Sequence, residues 1–139
     1  MQPLITSDMN IEEIRNFFSG DKFATGAGCE LVSCDVGTAV ARMRITDAHS
    51  NGMGNVMGGA IFTLADFALA VASNLDEPPS VAVNNSIQFC SSCKGDVLTA
   101  IAQADKSGST LGFYTVDVTD NTGRFIAKMT ATCCRVRWL

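Results

Sequence analysis

The residues from Val56 to Leu75 are almost wholly apolar and carry one charge, Asp66. A stretch of that length is about what a helix needs to cross a bilayer. Gly58-Gly59 at its start, Asp66 at its middle and the lack of a Lys or Arg flank argue instead for a helix buried in protein, so no membrane association is expected. A helix apolar nearly all round must be covered on most sides, and the rest of the chain has to supply that cover.

The remaining sequence is suited to wrapping it. Ile11-Glu12-Glu13-Ile14-Arg15-Asn16-Phe17-Phe18 has helical spacing after Asn10 as a cap, and Gly20 ends it. Cys29–Cys34 and the alternating Thr38–Ile45 predict a hairpin turning near Asp35 to Gly37. Asp76-Glu77-Pro78-Pro79 stops the long helix. Four further strands are expected at Ser80–Cys90, Val97–Lys106, Thr110–Thr119 and Arg124–Arg137. Short turns separate the last three, which makes them an antiparallel meander. The expectation is an α+β fold in which a curved antiparallel sheet wraps a long central hydrophobic helix. With 139 residues and no linker, repeat or low-complexity run, one domain over residues 1–139 is expected.

Composition removes several function classes. A net charge of −4 and scattered cations leave no basic stripe for nucleic acid. Met1 to Asn10 is mixed and polar, unlike a secretion signal, so a cytoplasmic location is expected. Cys90-Ser91-Ser92-Cys93 is half of a zinc spacing, but the other close pair, Cys133-Cys134, is adjacent and the sole histidine, His49, is distant. No metal is expected, and the six cysteines read as small apolar residues in a reducing compartment.

Asp66 is the chemical centre of this sequence. A carboxylate taken into apolar surroundings is costly and tends to rise in pKa, which is what general-base chemistry uses. A buried Asp that caps backbone or pairs for structure is the other reading.

Asn51, Gly54, Met57-Gly58-Gly59 and Leu64-Ala65-Asp66 together resemble a pattern of the hotdog-fold thioesterases, in their phenylacetate-pathway (PaaI-like) branch. That pattern is an Asn, a Gly three residues on, His-Gly-Gly, then a helix with Leu-x-Asp, and here Met57 stands where the family has His. Val81–Phe89 and Val116–Gly123 resemble the strand after the helix and the penultimate hairpin, so the likeness runs from about Gly28 onward. It implies a hotdog fold and hydrolysis of an acyl-CoA or aryl-CoA thioester. Asp66 would serve as general base or nucleophile, and a helix-start glycine N–H would be the oxyanion donor. Asn51 would position the thioester or the catalytic groups, unless it only shapes its loop.

Gly58 or Gly59 suits the donor role, because a helix start presents free N–H groups and a positive dipole end. Asp66 lies eight residues after Gly58, about 12 Å along the axis. One helix therefore cannot aim both groups at one carbonyl. Asp66 of a second, antiparallel helix across a two-fold axis would complete the site, and the resemblance likewise implies a dimer or a dimer of dimers. Phe62, Phe67, Met53 and Met57 are the expected acyl-pocket walls, unless they pack the core.

Lys94, Lys106, Arg124, Lys128 and Arg135 are candidates for the CoA phosphates. CoA enters as part of the substrate, and no separate cofactor is expected. His49, eight residues before Met57, is expected to be a solvated loop side chain. A hotdog hydratase is disfavoured because it would pair a His with an acid, and the only His here lies outside the helix. Met57 supports one alternative, a non-catalytic acyl-CoA-binding or regulatory protein, since a thioether is a weak acceptor.

Overall fold

A computed structural model describes residues 1–136. Arg137, the end of the expected last strand, and the final residues Trp138 and Leu139 of the expected domain lie outside the described residues. The chain order is α1 (Ile11–Phe18), α2 (Lys22–Gly26), β1 (Glu30–Asp35), β2 (Thr38–Arg44), a 3₁₀ turn (Asp47–His49), α3 (Gly58–Asn74), β3 (Ser80–Phe89), β4 (Val97–Ser107), β5 (Leu111–Asp120) and β6 (Phe125–Arg135). Among the described residues the strands form one antiparallel sheet in the order β1-β2-β4-β5-β6-β3, and α3 packs against all six.

Close packing explains the cover. Ala39 and Ala41 of β2 and Ala100 and Ala102 of β4 are fully buried, as are Ala65, Ala68 and Ala72 of α3. Small side chains on both surfaces let helix and sheet approach closely, while Leu64, Val71, Met43, Leu98, Val116 and Met129 fill the remaining volume. α1 begins with a capping box between Asn10 and Glu13. It buries Ile14 and Phe18, and the Phe18 ring meets Phe67 edge-on at 5.9 Å.

Sequence patterning placed every strand to within about two residues, and the expected β1–β2 hairpin and β4-β5-β6 meander both form, but the partner of β3 was not foreseen. β3 crosses to the far edge and pairs with β6, so the adjacent β4 does not touch it in the sheet. Two short elements had no sequence expectation, α2 and the 3₁₀ turn. Arg135 departs from its expectation: it is no phosphate ligand at the rim but is 2% exposed in the core. Its guanidinium donates to Ser73 O, Ser80 Oγ, Ser107 Oγ and Tyr114 OH, with Glu77 at 3.7 Å. It ties the end of α3 to four strands.

Candidate functional site

α3 is not covered all round. Gly59, Phe62, Thr63, Asp66 and Ala70, spaced three and four residues apart, form one stripe that stays partly open, while from Ile61 onward the other faces are buried. Asp66 is half-buried on that stripe and faces a cleft of about 520 Å³ lined by Phe62, Thr63 and Phe67 of α3 and by Asp21, Lys22, Phe23 and Ala24 around α2. Burial pushes its carboxyl above the ordinary range, a hydrogen bond from Asn85 opposes that, and the charge of Asp21 adds to the rise. Asp66 in turn acts on its surroundings. The buried Cys29 thiol is pushed up to about 12, mainly by burial and then by the charges of Asp21 and Asp66.

Asn85 reaches Asp66 because β3 is bulged. Ala82 opposes Cys133 and Asn84 opposes Thr132, so Val83 is an extra residue on β3. Opposed residues share a face, and on β6 the buried face is Cys133, Ala131, Met129 and Ala127. Beyond the bulge, Asn85, Ile87 and Phe89 oppose the last three of these. Asn85 thereby points at α3 and donates from Nδ2 to Asp66 Oδ1 at 3.4 Å. Strict alternation from Ala82 would have turned Asn84 inward instead. Sequence reasoning missed Asn85, and the adjacent Asn84-Asn85 in the middle of a strand was the signal available.

The start of α3 forms a second centre. Met57 is its N-cap residue, no side chain caps it, and the first N–H bonded back is that of Ala60, to Met57 O at 3.0 Å. The amides of Gly58 and Gly59 precede that bond, at the positive end of the helix. A Cβ on Gly58 would stand 3.0 Å from Phe89 Cζ, so this position has little room for a side chain. Gly58 lines a cleft of about 420 Å³ with Val56, Ile61 and Phe89 to Cys93.

The loop before the helix is self-braced. Asn51 Oδ1 accepts from the amides of Met53 and Asn55, and Ser50 and Val56 form a bridge. The carbonyl of Asn51 is thus committed to the loop, which leaves its Nδ2 as the part able to meet a substrate. His49 is not the solvated side chain expected from sequence, since it is 8% exposed. Thr46 N–H donates to its Nδ1 at 3.0 Å, which puts the ring proton on Nε2, and Nε2–H donates to Ala27 O at 2.5 Å. His49 O accepts from Met57 N–H at 2.7 Å. One residue therefore joins the loop, the end of α2 and the cap of α3.

Asp120 organises the far wall. Burial alone would raise its carboxyl, but hydrogen bonds from Thr122, the amides of Lys94 and Gly95 and the amide of Arg124 hold it well below the usual range. This fixes Lys94 and Arg124 next to the Gly58 cleft, where Arg124 Nε also donates to Ser92 O. Lys128 instead pairs with Asp117, and Lys106 is exposed on β4.

The expected site residues thus divide. Asp66, Phe62 and Phe67 share the first cleft, with Phe67 buried as its floor. Gly58 lies in the second, and Met57, 54% exposed, lies over Gly59, where a Cβ would be 3.8 Å from Met57 Cε. Met53, 85% exposed on the loop, lines neither cleft. Among the described residues no three His, Cys, Asp or Glu side chains converge on a metal position, and no helix is long and apolar enough to cross a membrane.

A family model described as the thioesterase superfamily matches residues 53–127. The acyl-coenzyme A thioesterase PaaI of Escherichia coli is 33% identical over 111 residues, 79% of each chain. Its solved structure matches with a TM-score of 0.85 at 28% identity, covering 91% of this chain and 92% of that one. Human acyl-coenzyme A thioesterase 13 is 34% identical over 102 residues, 70% of this chain and 73% of its own. A Streptococcus mutans protein solved bound to acetyl CoA matches with a TM-score of 0.75 at 28% identity, over 78% of this chain and 89% of that one.

Proposed function

This chain belongs to the thioesterase superfamily as a PaaI-like hotdog protein, a thioester hydrolase, and from that premise we propose how its site works. The substrate is an acyl-CoA or aryl-CoA thioester, released as free acid and CoA. Asp66 is the general base or nucleophile, and the amide of Gly58 or Gly59 holds the oxyanion. The observation that carries this reading is the placement of Asp66, whose raised carboxyl faces an apolar cleft on the one open stripe of α3. A base with a pKa drawn toward neutrality takes a proton from water more readily than an ordinary carboxylate.

Two protomers make each site. Gly58 and Asp66 are about 12 Å apart along one helix, too far for one reacting carbonyl. Among the described residues β3 is a ten-residue edge strand with one unpaired side and with Val81 and Val83 exposed. Such an edge is a template for pairing. Pairing β3 with its copy would bring a second, antiparallel α3 alongside and set Asp66 of one chain near the glycines of the other. Lys94 and Arg124, whose backbone amides donate to Asp120 next to residues of the Gly58 cleft, are the cations assigned in this reading to the CoA phosphates.

Thiol release from short-chain, long-chain and aryl-CoA esters tests the activity and names the acyl group. Met57 motivates the second reading, a protein that binds acyl-CoA without hydrolysing it, which a folded dimer inactive on every ester would support. Met57→His is expected to preserve or raise kcat, by at most about tenfold, the contribution of one hydrogen bond. A tenfold loss in that assay would show that the residue at 57 does not work beside the thioester.

A further inference from the structure

We propose that Asn85 is the positioning residue of the catalytic carboxylate, holding Asp66 Oδ1 through its amide so that Oδ2 is the oxygen that takes the proton of the attacking water. The proposal rests on the reading of Asp66 as general base. Three observations converge on it. Asn85 donates the one side-chain hydrogen bond found for Asp66 among the described residues, at 3.4 Å. It is turned inward by a bulge that displaces the strand register by one residue. Its Oδ1 is the single buried side-chain polar atom without a partner among the described residues.

An orphaned buried acceptor is destabilising, and an apolar side chain would avoid it. A strand that keeps an amide there gains nothing in packing. What the amide supplies is a donor to a carboxylate that has no other among the described residues. With Oδ1 held, water attacks the thioester carbonyl carbon as its proton passes to Oδ2. The tetrahedral oxyanion then collapses, the C–S bond breaks, and the departing CoA sulfur recovers that proton from Asp66. Atoms and charge balance with water alone.

Asn85 also lowers the working pH of the base against the effect of burial. The groups facing Asp66 are Asp21 and Lys22 from α2 and its cap, Cys29 before β1, Cys133 on β6 and Asn85 on β3. Burial and Asp21 raise the carboxyl, and Asn85 is the group that lowers it. Removing the amide therefore moves the acid limb of the kcat profile to higher pH.

The test compares kcat, KM, the kcat–pH profile and thermal midpoint for the wild type, Asn85→Leu, Asn85→Ala and Asp66→Asn on one acyl-CoA. Asn85→Leu is expected to lose about 10- to 100-fold in kcat with little change in KM. Its acid limb should rise, and its thermal midpoint should hold or increase because the orphaned acceptor is gone. Asn85→Ala gives the same kinetic result without the bulk of leucine. Wild-type kcat and an unmoved limb in both variants, beside an inactive Asp66→Asn, would overturn the role of Asn85 alone. A kcat loss with an unmoved limb and a lowered midpoint would reduce Asn85 to a structural part. Turnover in Asp66→Asn would remove the base itself and this proposal with it.

Discussion

Asp66→Asn should lower kcat by about 10³-fold, within the range that one general base contributes, while the protein folds at least as well as before. The two effects have one cause. In the folded chain burial holds the Asp66 carboxyl above its ordinary value, so between the unfolded and folded pKa the native state keeps a proton that the unfolded chain has released. The contribution of Asp66 to stability is therefore greatest below the unfolded pKa and is lost as pH rises through the folded one. At neutral pH the ionised, half-buried carboxylate works against folding, and the neutral amide of Asn removes that opposition. Thiol release and thermal unfolding at pH 7 check both parts. A variant with wild-type kcat, or one that unfolds at markedly lower temperature, would show that Asp66 is a structural residue.

Arg135→Ala should be the most damaging single change to stability. The side chain is 2% exposed, and its loss would remove the donor to Ser73 O and Tyr114 OH, leave Ser80 Oγ and Ser107 Oγ only their bonds to Pro78 O and Glu77, leave Glu77 without its cation and open a cavity. Breaking a buried ionic network of this kind costs about 3–5 kcal/mol. For a domain of this size that lowers the melting temperature by about 10–20 °C. The partners span the end of α3, the start of β3, the end of β4 and the middle of β5, so the damage should be global and visible in a single cooperative transition. A melting temperature within about 3 °C of wild type would contradict it.

How far each residue could be read from sequence follows from the range of the interactions that place it. Asp66 stood out because it is the one charge in an apolar run, and desolvation is a property of that neighbourhood whatever the topology. The strands were legible because alternation and turn residues act locally. The pairing of β3 with β6 was not, since nothing within β3 says which edge it joins. Asn85 was hidden for a related reason: the bulge at Val83 inverts the face of every later residue in the strand.

Arg135 looked like a surface cation because charged residues usually are. Its burial depends on acceptors 21 to 62 residues away in sequence. His49 looked solvated because its loop is polar, yet its ring is held by Ala27, 22 residues earlier. α2, five residues long with no buried side chain, carries no periodic signal to read.

Subunit complementation decides whether two protomers build each site. Asp66→Asn and Gly58→Pro, the latter removing the N–H of Gly58 at a first-turn position whose backbone accepts proline once the exposed Phe89 ring swings aside, are each expected to be inactive alone if Gly58 is the oxyanion donor. Coexpressed, random pairing makes about half of the dimers mixed, and each mixed dimer has one site with both Asp66 and Gly58 intact. Thiol release should return to about a quarter of the wild-type rate per protomer. If the mixed dimers form and release no thiol, Asp66 and the glycine amide do not meet across a two-fold axis.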